Sequence, residues 1–172
     1  SGRIEAVIET TGDVEYGARV AYDAITHGKH VVLMNAEVDS TIGPILKVHA
    51  DRHGVVYTYT DGDEPGVAMN LYRFVDSIGY KPLLMGQIKG FLNRYRNPET
   101  QREFAAKHQQ KAEMVASFAD GSKLAIESTI IGNATGFRPG IRGMHGHQCT
   151  HVKDLLKLFG DKDFKDGGLV DF

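Results

Sequence analysis

The sequence predicts an α/β fold, and three observations carry that prediction. Short apolar runs alternate with longer segments whose apolar positions recur at helical spacing. Each apolar run stops at a cluster of Gly, Asn, Asp or Thr, residues that end strands and open helices. Past Gly90 this rhythm gives way to a polar, turn-prone loop and to helices with few large apolar groups.

Taken in order, residues 4–9 form an apolar strand that stops at Thr10, Thr11, Gly12 and Asp13. Val14, Ala18, Val20, Ala21, Ala24 and Ile25 then trace a helix that Gly28 ends. Residues 30–34 read as a second strand broken at Asn35, and a second helix is expected from about 42 to 52, closed near Gly54. A third strand over 55–60 ends in the acidic turn Asp61, Gly62, Asp63, Glu64, Pro65 and Gly66. A helix over 67–78 and a strand over 81–86 follow. Strands joined by helices of about ten to fifteen residues are the signature of parallel crossovers. A domain transition is expected near Gly90, with 91–98 a loop, 99–118 one helix and 122–132 another. The glycine-rich stretch 136–146 and a charged turn lead to a closing strand over 168–172, and both termini read as cut from a longer chain.

Composition bounds the function. The 172 residues are 41% hydrophobic and 24% charged, ordinary for a globular protein. No apolar run approaches the roughly 18 residues of a membrane span. The net charge of -2 offers no basic surface of the kind that binds nucleic acid by counterion release. Cys149 is the single cysteine and cannot form an internal disulfide, and the chain opens without the charged and apolar regions of a secretion signal, so a cytoplasmic protein is expected.

In parallel sheets ligands bind beyond the carboxyl ends of strands, where helix N-termini present free N–H groups. Three such ends carry polar residues: Thr10-Thr11-Gly12, Asn35-Ala36-Glu37, and the acids Asp61, Asp63 and Glu64. The acids suit magnesium or manganese, but Pro65 and Gly66 favour a helix cap there. Lys89, between Gly86 and Gly90, stands where a lysine can be desolvated and donate a proton or bind an oxyanion. The loop holding Asn93, Arg94, Arg96 and Asn97 could pair an arginine with phosphate or carboxylate. His145, His147, Cys149 and His151 match no closed zinc spacing well, and the glycines around them read better as a flexible active-site loop or an interdomain connector.

These residues, in this order, resemble a known family. Ile8–Gly12, His30–Asp39, Gly62–Gly66, Gly86–Gly90, Arg96–Pro98, Ser117–Gly121 and Asn133–Gly136 are similar to motifs of homoserine-dehydrogenase-like NAD(P)-dependent oxidoreductases with a SAF domain, some of them deoxyxylulose-phosphate-reductoisomerase-like. The resemblance implies the second half of a Rossmann-type parallel sheet over residues 1–90, followed by an incomplete α+β catalytic, substrate-binding domain over 91–172. The glycine-rich phosphate loop would lie upstream and the SAF domain downstream. It further implies a homo-oligomer that takes a small-molecule substrate, uses NADP (or NAD) and leaves room for a divalent metal of unknown ligands; a reductoisomerase-like member would serve isoprenoid biosynthesis. By resemblance, Thr10, Thr11, Gly12, Asn35 and Glu37 would line the cofactor cleft, and Lys89, Asn93, Arg96 and Asn133 would face substrate. Homoserine dehydrogenases place a lysine after the asparagine of the second strand end; Ala36 stands here, which moves the catalytic role towards Lys89, with Glu127 and Asp120 as further candidates to orient it or to bind a metal. Homoserine dehydrogenase and a non-catalytic binding or assembly module are the alternative readings.

Overall fold

Strand β1 (Ala6–Glu9) pairs in parallel with β2 (His30–Leu33), Ala6 opposite His30 and Glu9 opposite Leu33. β2 pairs in parallel with β3 (Tyr57–Tyr59), Val31 opposite Tyr57. In this computed structural model, which describes residues 3–164 and 167–172, the strands of that sheet therefore lie in chain order, β1-β2-β3. β3 is shorter than the expected run over 55–60 because the Val55 amide bonds the Ala50 carbonyl, closing the preceding helix instead of joining the ladder.

Helix α1 (Val14–Thr26) starts where the Asp13 carboxylate accepts from the Tyr16 N–H at 2.8 Å. Helix α2 (Ala36–His53) starts six residues before the expected position of about 42. Asn35 caps it by accepting from the Val38 N–H, and Glu37 and Asp39 in its first turn complement the helix dipole. Pro44 thus sits inside the helix, where it gives up one backbone bond. The fully buried Ile25, Val31, Leu33, Val38 and Ala50, with Leu46, form the core between α1, α2 and the sheet. Helix α3 (Glu64–Ser77) carries Pro65 at its start, where a missing N–H is harmless.

Strand β4 (Leu84–Gly86) joins a different sheet. It pairs in parallel with β5 (Leu169–Asp171), Gly86 opposite Asp171. Between them, the expected helix over 99–118 is two helices, α4 (Pro98–Lys107) and α5 (Ala112–Asp120). The break is a 6→1 turn: the Gln110 N–H bonds the Ala105 carbonyl, the Gln109 N–H bonds the Ala106 carbonyl, and Gln109 adopts φ +54°. Asn97 opens α4 with a reciprocal cap shared with Thr100. Helix α6 (Ser122–Thr135) follows, and α7 (Leu155–Leu158) lies between two 3-10 turns, Val152–Asp154 and Asp161–Phe164.

The chain packs as two compact units: residues up to Pro82 with Thr129–Gly136, and Leu83–Ser128 with Phe137–Phe172. It is an α/β chain with small parallel sheets. No helix among the described residues is long and apolar enough to cross a membrane.

Candidate functional site

In the first unit the strand ends are tied to one another. Glu9, 2% exposed at the end of β1, accepts from the Thr11 N–H at 2.8 Å and from its hydroxyl. Asn35, equally buried at the end of β2, donates through Nδ2 to the Asp13 carbonyl at 3.0 Å while its Oδ1 caps α2. Gly17 lets α1 approach both, since a Cβ there would stand 2.9 Å from Asn35 Nδ2 and from the Glu9 carboxylate. The Asn35 amide is thus engaged by protein on both sides. Thr10, Thr11 and Gly12 are exposed, and a Cβ on Gly12 would meet nothing within 4 Å, so the backbone at this turn borders open space.

Beyond β3, the acids are distributed among separate partners. Asp61 accepts from Asn70 Nδ2 at 2.7 Å, and Asp63 accepts from the Tyr59 hydroxyl at 2.8 Å. Asp63 occupies the cap position of α3 without a side-chain capping bond, so the expected cap is met by position and not by its carboxylate. A cavity of about 660 Å³ lies in this unit, lined among others by Asp39, Tyr57, Asp61, Arg73 and Asn133. The Tyr57 hydroxyl donates to Asp39 at 2.6 Å. Burial pushes the Asp39 carboxyl up against the opposing effect of that bond. Burial, then the Asp39 charge, pushes the Tyr57 hydroxyl up as well.

In the second unit, Lys89 is half-buried, three residues past the end of β4. The Asn93 side chain accepts from the Tyr95 N–H at 3.0 Å, and Arg96 donates to Gln101 at 3.1 Å. Arg96 lines a cavity of about 420 Å³ with Phe91, Glu103, Phe104 and Lys107. Asp120 accepts from the Ser122 N–H at the start of α6. Glu127 is 1% exposed, and its carboxylate stands 3.9 Å from the ammonium of Lys123, one turn earlier on α6. Of the expected substrate residues, Asn93 and Arg96 share a loop with each other, whereas Asn133 belongs to the first unit.

The second unit also pairs two residues whose partnership the sequence did not reveal. His145 Nδ1 lies 2.6 Å from Asp171 Oδ2, and the same carboxylate accepts backbone N–H groups from His145, Gly146 and Phe172. Burial pushes the Asp171 carboxyl up, but the donors from Gly146, His145 and Phe172 outweigh it and hold the group below the usual carboxylate range. His147 stacks on His145 with ring centres 5.4 Å apart, and Phe159 packs edge-on against both. The carboxylate thus fixes the orientation of the His145 imidazole. Among the described residues no group of three His, Cys, Asp or Glu side chains converges as a metal site. Asp171 ends a strand and lies twenty-six positions from His145, a spacing with no local signature.

Parallel sheets with polar strand ends, cavities bearing charged and hydroxyl groups, and a histidine held by a buried carboxylate mark this α/β chain. Residues 62–172 match the family described as Oxidoreductase DRL, catalytic domain, and because that match covers more than half of the chain, the protein belongs to this family. No curated protein matches the sequence.

Proposed function

We propose that the protein is an NAD(P)H-dependent oxidoreductase that reduces a small carbonyl substrate in the manner of the reductoisomerase-like enzymes it resembles. The observation that carries this reading is the sheet of three parallel strands in chain order, with Thr10, Thr11, Gly12, Asn35 and Asp61 at their carboxyl ends. That order and that placement of polar groups suit half of a dinucleotide-binding sheet. Residues 1–90 would then supply the cofactor half and 91–172 the substrate half.

The open space beside the Gly12 backbone fits a planar ring laid against the turn, with Thr10 and Thr11 bordering it. Glu9 orients Thr11 from below, and Asn35 fixes that turn to the start of α2, where Glu37 lies one residue in. A nicotinamide bound there would supply hydride; the chain supplies orientation and electrostatics. Lys89 would bind the developing oxyanion, and Arg96, in a cavity that Glu103 and Lys107 also line, would hold a substrate phosphate or carboxylate. Asn93 and Asp120, in the second unit, would complete the substrate side. A divalent metal would serve a sugar-phosphate substrate and not an amino-acid semialdehyde. We place the enzyme in the cytoplasm as a homo-oligomer with a SAF domain.

The test is oxidation of NADPH and NADH by the full-length protein, offered deoxyxylulose phosphate and aspartate semialdehyde in turn, with and without magnesium or manganese. Metal-dependent turnover of the sugar phosphate is expected. Turnover of the semialdehyde alone would make it a homoserine dehydrogenase, and idleness with both, together with failure to bind either nucleotide, would make it a binding module.

A further inference from the structure

We propose that His145 is the acid that protonates the substrate oxygen, with Asp171 as its positioning residue; this rests on the carbonyl-reduction reading above and deepens it. Four observations converge on the pair. The first is orientation: Nδ1 is committed to Asp171 at 2.6 Å, and no described residue bonds Nε2, so the ring presents one free nitrogen while its side chain keeps 20% of its surface accessible. The second is rigidity: Asp171 is 2% exposed and is held by three backbone N–H donors as well as the imidazole, so the ring cannot swing without breaking a buried network.

The third is clearance. A Cβ on Gly140 would collide with the His145 ring, and one on Gly146 would stand 2.6 Å from the ring of Phe172. Met144, directly before His145, adopts φ +67°, a left-handed conformation costing a non-glycine residue on the order of 1 kcal/mol. Strain immediately beside an oriented imidazole is the pattern of a functional site. The fourth is placement. Gly86 and Asp171 face each other at the carboxyl ends of β4 and β5, so Lys89 follows by three residues the same sheet end at which Asp171 holds His145. Ligands of parallel sheets bind at that end.

The carbonyl carbon gains a hydride, with its two electrons, from a reduced nicotinamide; the π pair of the C=O bond moves onto oxygen; that oxygen takes the proton from Nε2 of the imidazolium. The imidazole is left neutral with Nδ1–H on Asp171, the nicotinamide is oxidised, and solvent restores the proton. Lys89 would then bind the oxyanion without having to donate.

A purely structural clamp needs Nδ1 alone, which separates the two roles experimentally. In His145→Asn the amide nitrogen can replace Nδ1 against Asp171, while nothing replaces Nε2. With NADPH and deoxyxylulose phosphate or aspartate semialdehyde, the full-length His145→Asn enzyme is expected to lose about 10²–10⁴-fold in kcat with little change in KM. Circular dichroism checks that it folds, and partial recovery of His145→Ala by added imidazole provides a second arm. Nitrogen-15 NMR of histidine-labelled protein is expected to show the Nδ1–H tautomer at His145, lost in Asp171→Asn. A folded His145→Asn with wild-type kcat, absence of imidazole recovery, or an Nε2–H tautomer in the wild type overturns the assignment while leaving carbonyl reduction intact. A wild type that oxidises neither nucleotide with either substrate overturns the carbonyl-reduction reading, and the role of His145 with it.

Discussion

At the scale of single residues, the buried Asp171 and the half-buried Asp39 respond to pH in opposite senses. Asp171 has its folded-state pKa depressed below 3.8, so its contribution to stability is present above that value and is lost as pH falls through the lower, folded one. Asp171→Asn places an NH₂ group among N–H donors and is expected to destabilise by about 1–3 kcal/mol at pH 7. In urea unfolding the deficit should narrow towards pH 3, because the wild type loses its advantage there. Asp39 is the reverse case: burial raises its folded pKa, so the wild type loses stability as pH rises from 3.8 through that raised value. Asn at this position can still accept from the Tyr57 hydroxyl, so Asp39→Asn is expected to match or exceed wild-type stability at pH 7 and to lose any gain in acid. A half-buried acid that lowers stability while lining a cavity is of the kind retained for function. Gly17 provides a third residue-scale test. Gly→Ala in a helix ordinarily stabilises by about 0.5–1 kcal/mol, but here the methyl would press on Asn35 and Glu9, and a loss of about 1–3 kcal/mol is expected in the same unfolding assay.

At the scale of elements, the helix ends show what was legible in the chain. α1, α2 and α3 close with the paired 6→1 and 5→2 bonds around Gly28, Gly54 and Gly79, each with positive φ. Glycine marks such a stop because it alone meets no Cβ penalty there, and the ends near Gly28 and Gly54 were read from it. α4 closes with the same bonds around Gln109, and no residue type announces that stop, so α4 and α5 read as one helix. Gln109→Gly removes the left-handed strain and is expected to raise stability by about 0.5–1 kcal/mol in thermal unfolding. The start of α2 was misplaced for a related reason. Asn35 can end a strand or cap a helix, and only its bonds to Val38 and Asp13 show that it does both.

At the scale of the whole molecule, protection should follow the sheets. β2 is bonded on both sides and buries Val31 and Leu33 completely, so its amides are expected to exchange with deuterium most slowly in the first unit. Leu46, 2% exposed in the same core, should cost about 2–5 kcal/mol when replaced by Ala and accelerate that exchange. The sequence by itself determined the alternation of strand and helix, the polar strand ends and the change of texture after β4, because these depend on periodicity and turn chemistry within a few neighbouring residues. Only the tertiary structure decided that β4 pairs with β5, that Asp39 meets Tyr57 and that His145 meets Asp171. Those partners lie far apart along the chain, and what joins them is a shared register and the need of a buried carboxylate for donors, neither of which leaves a local pattern to read.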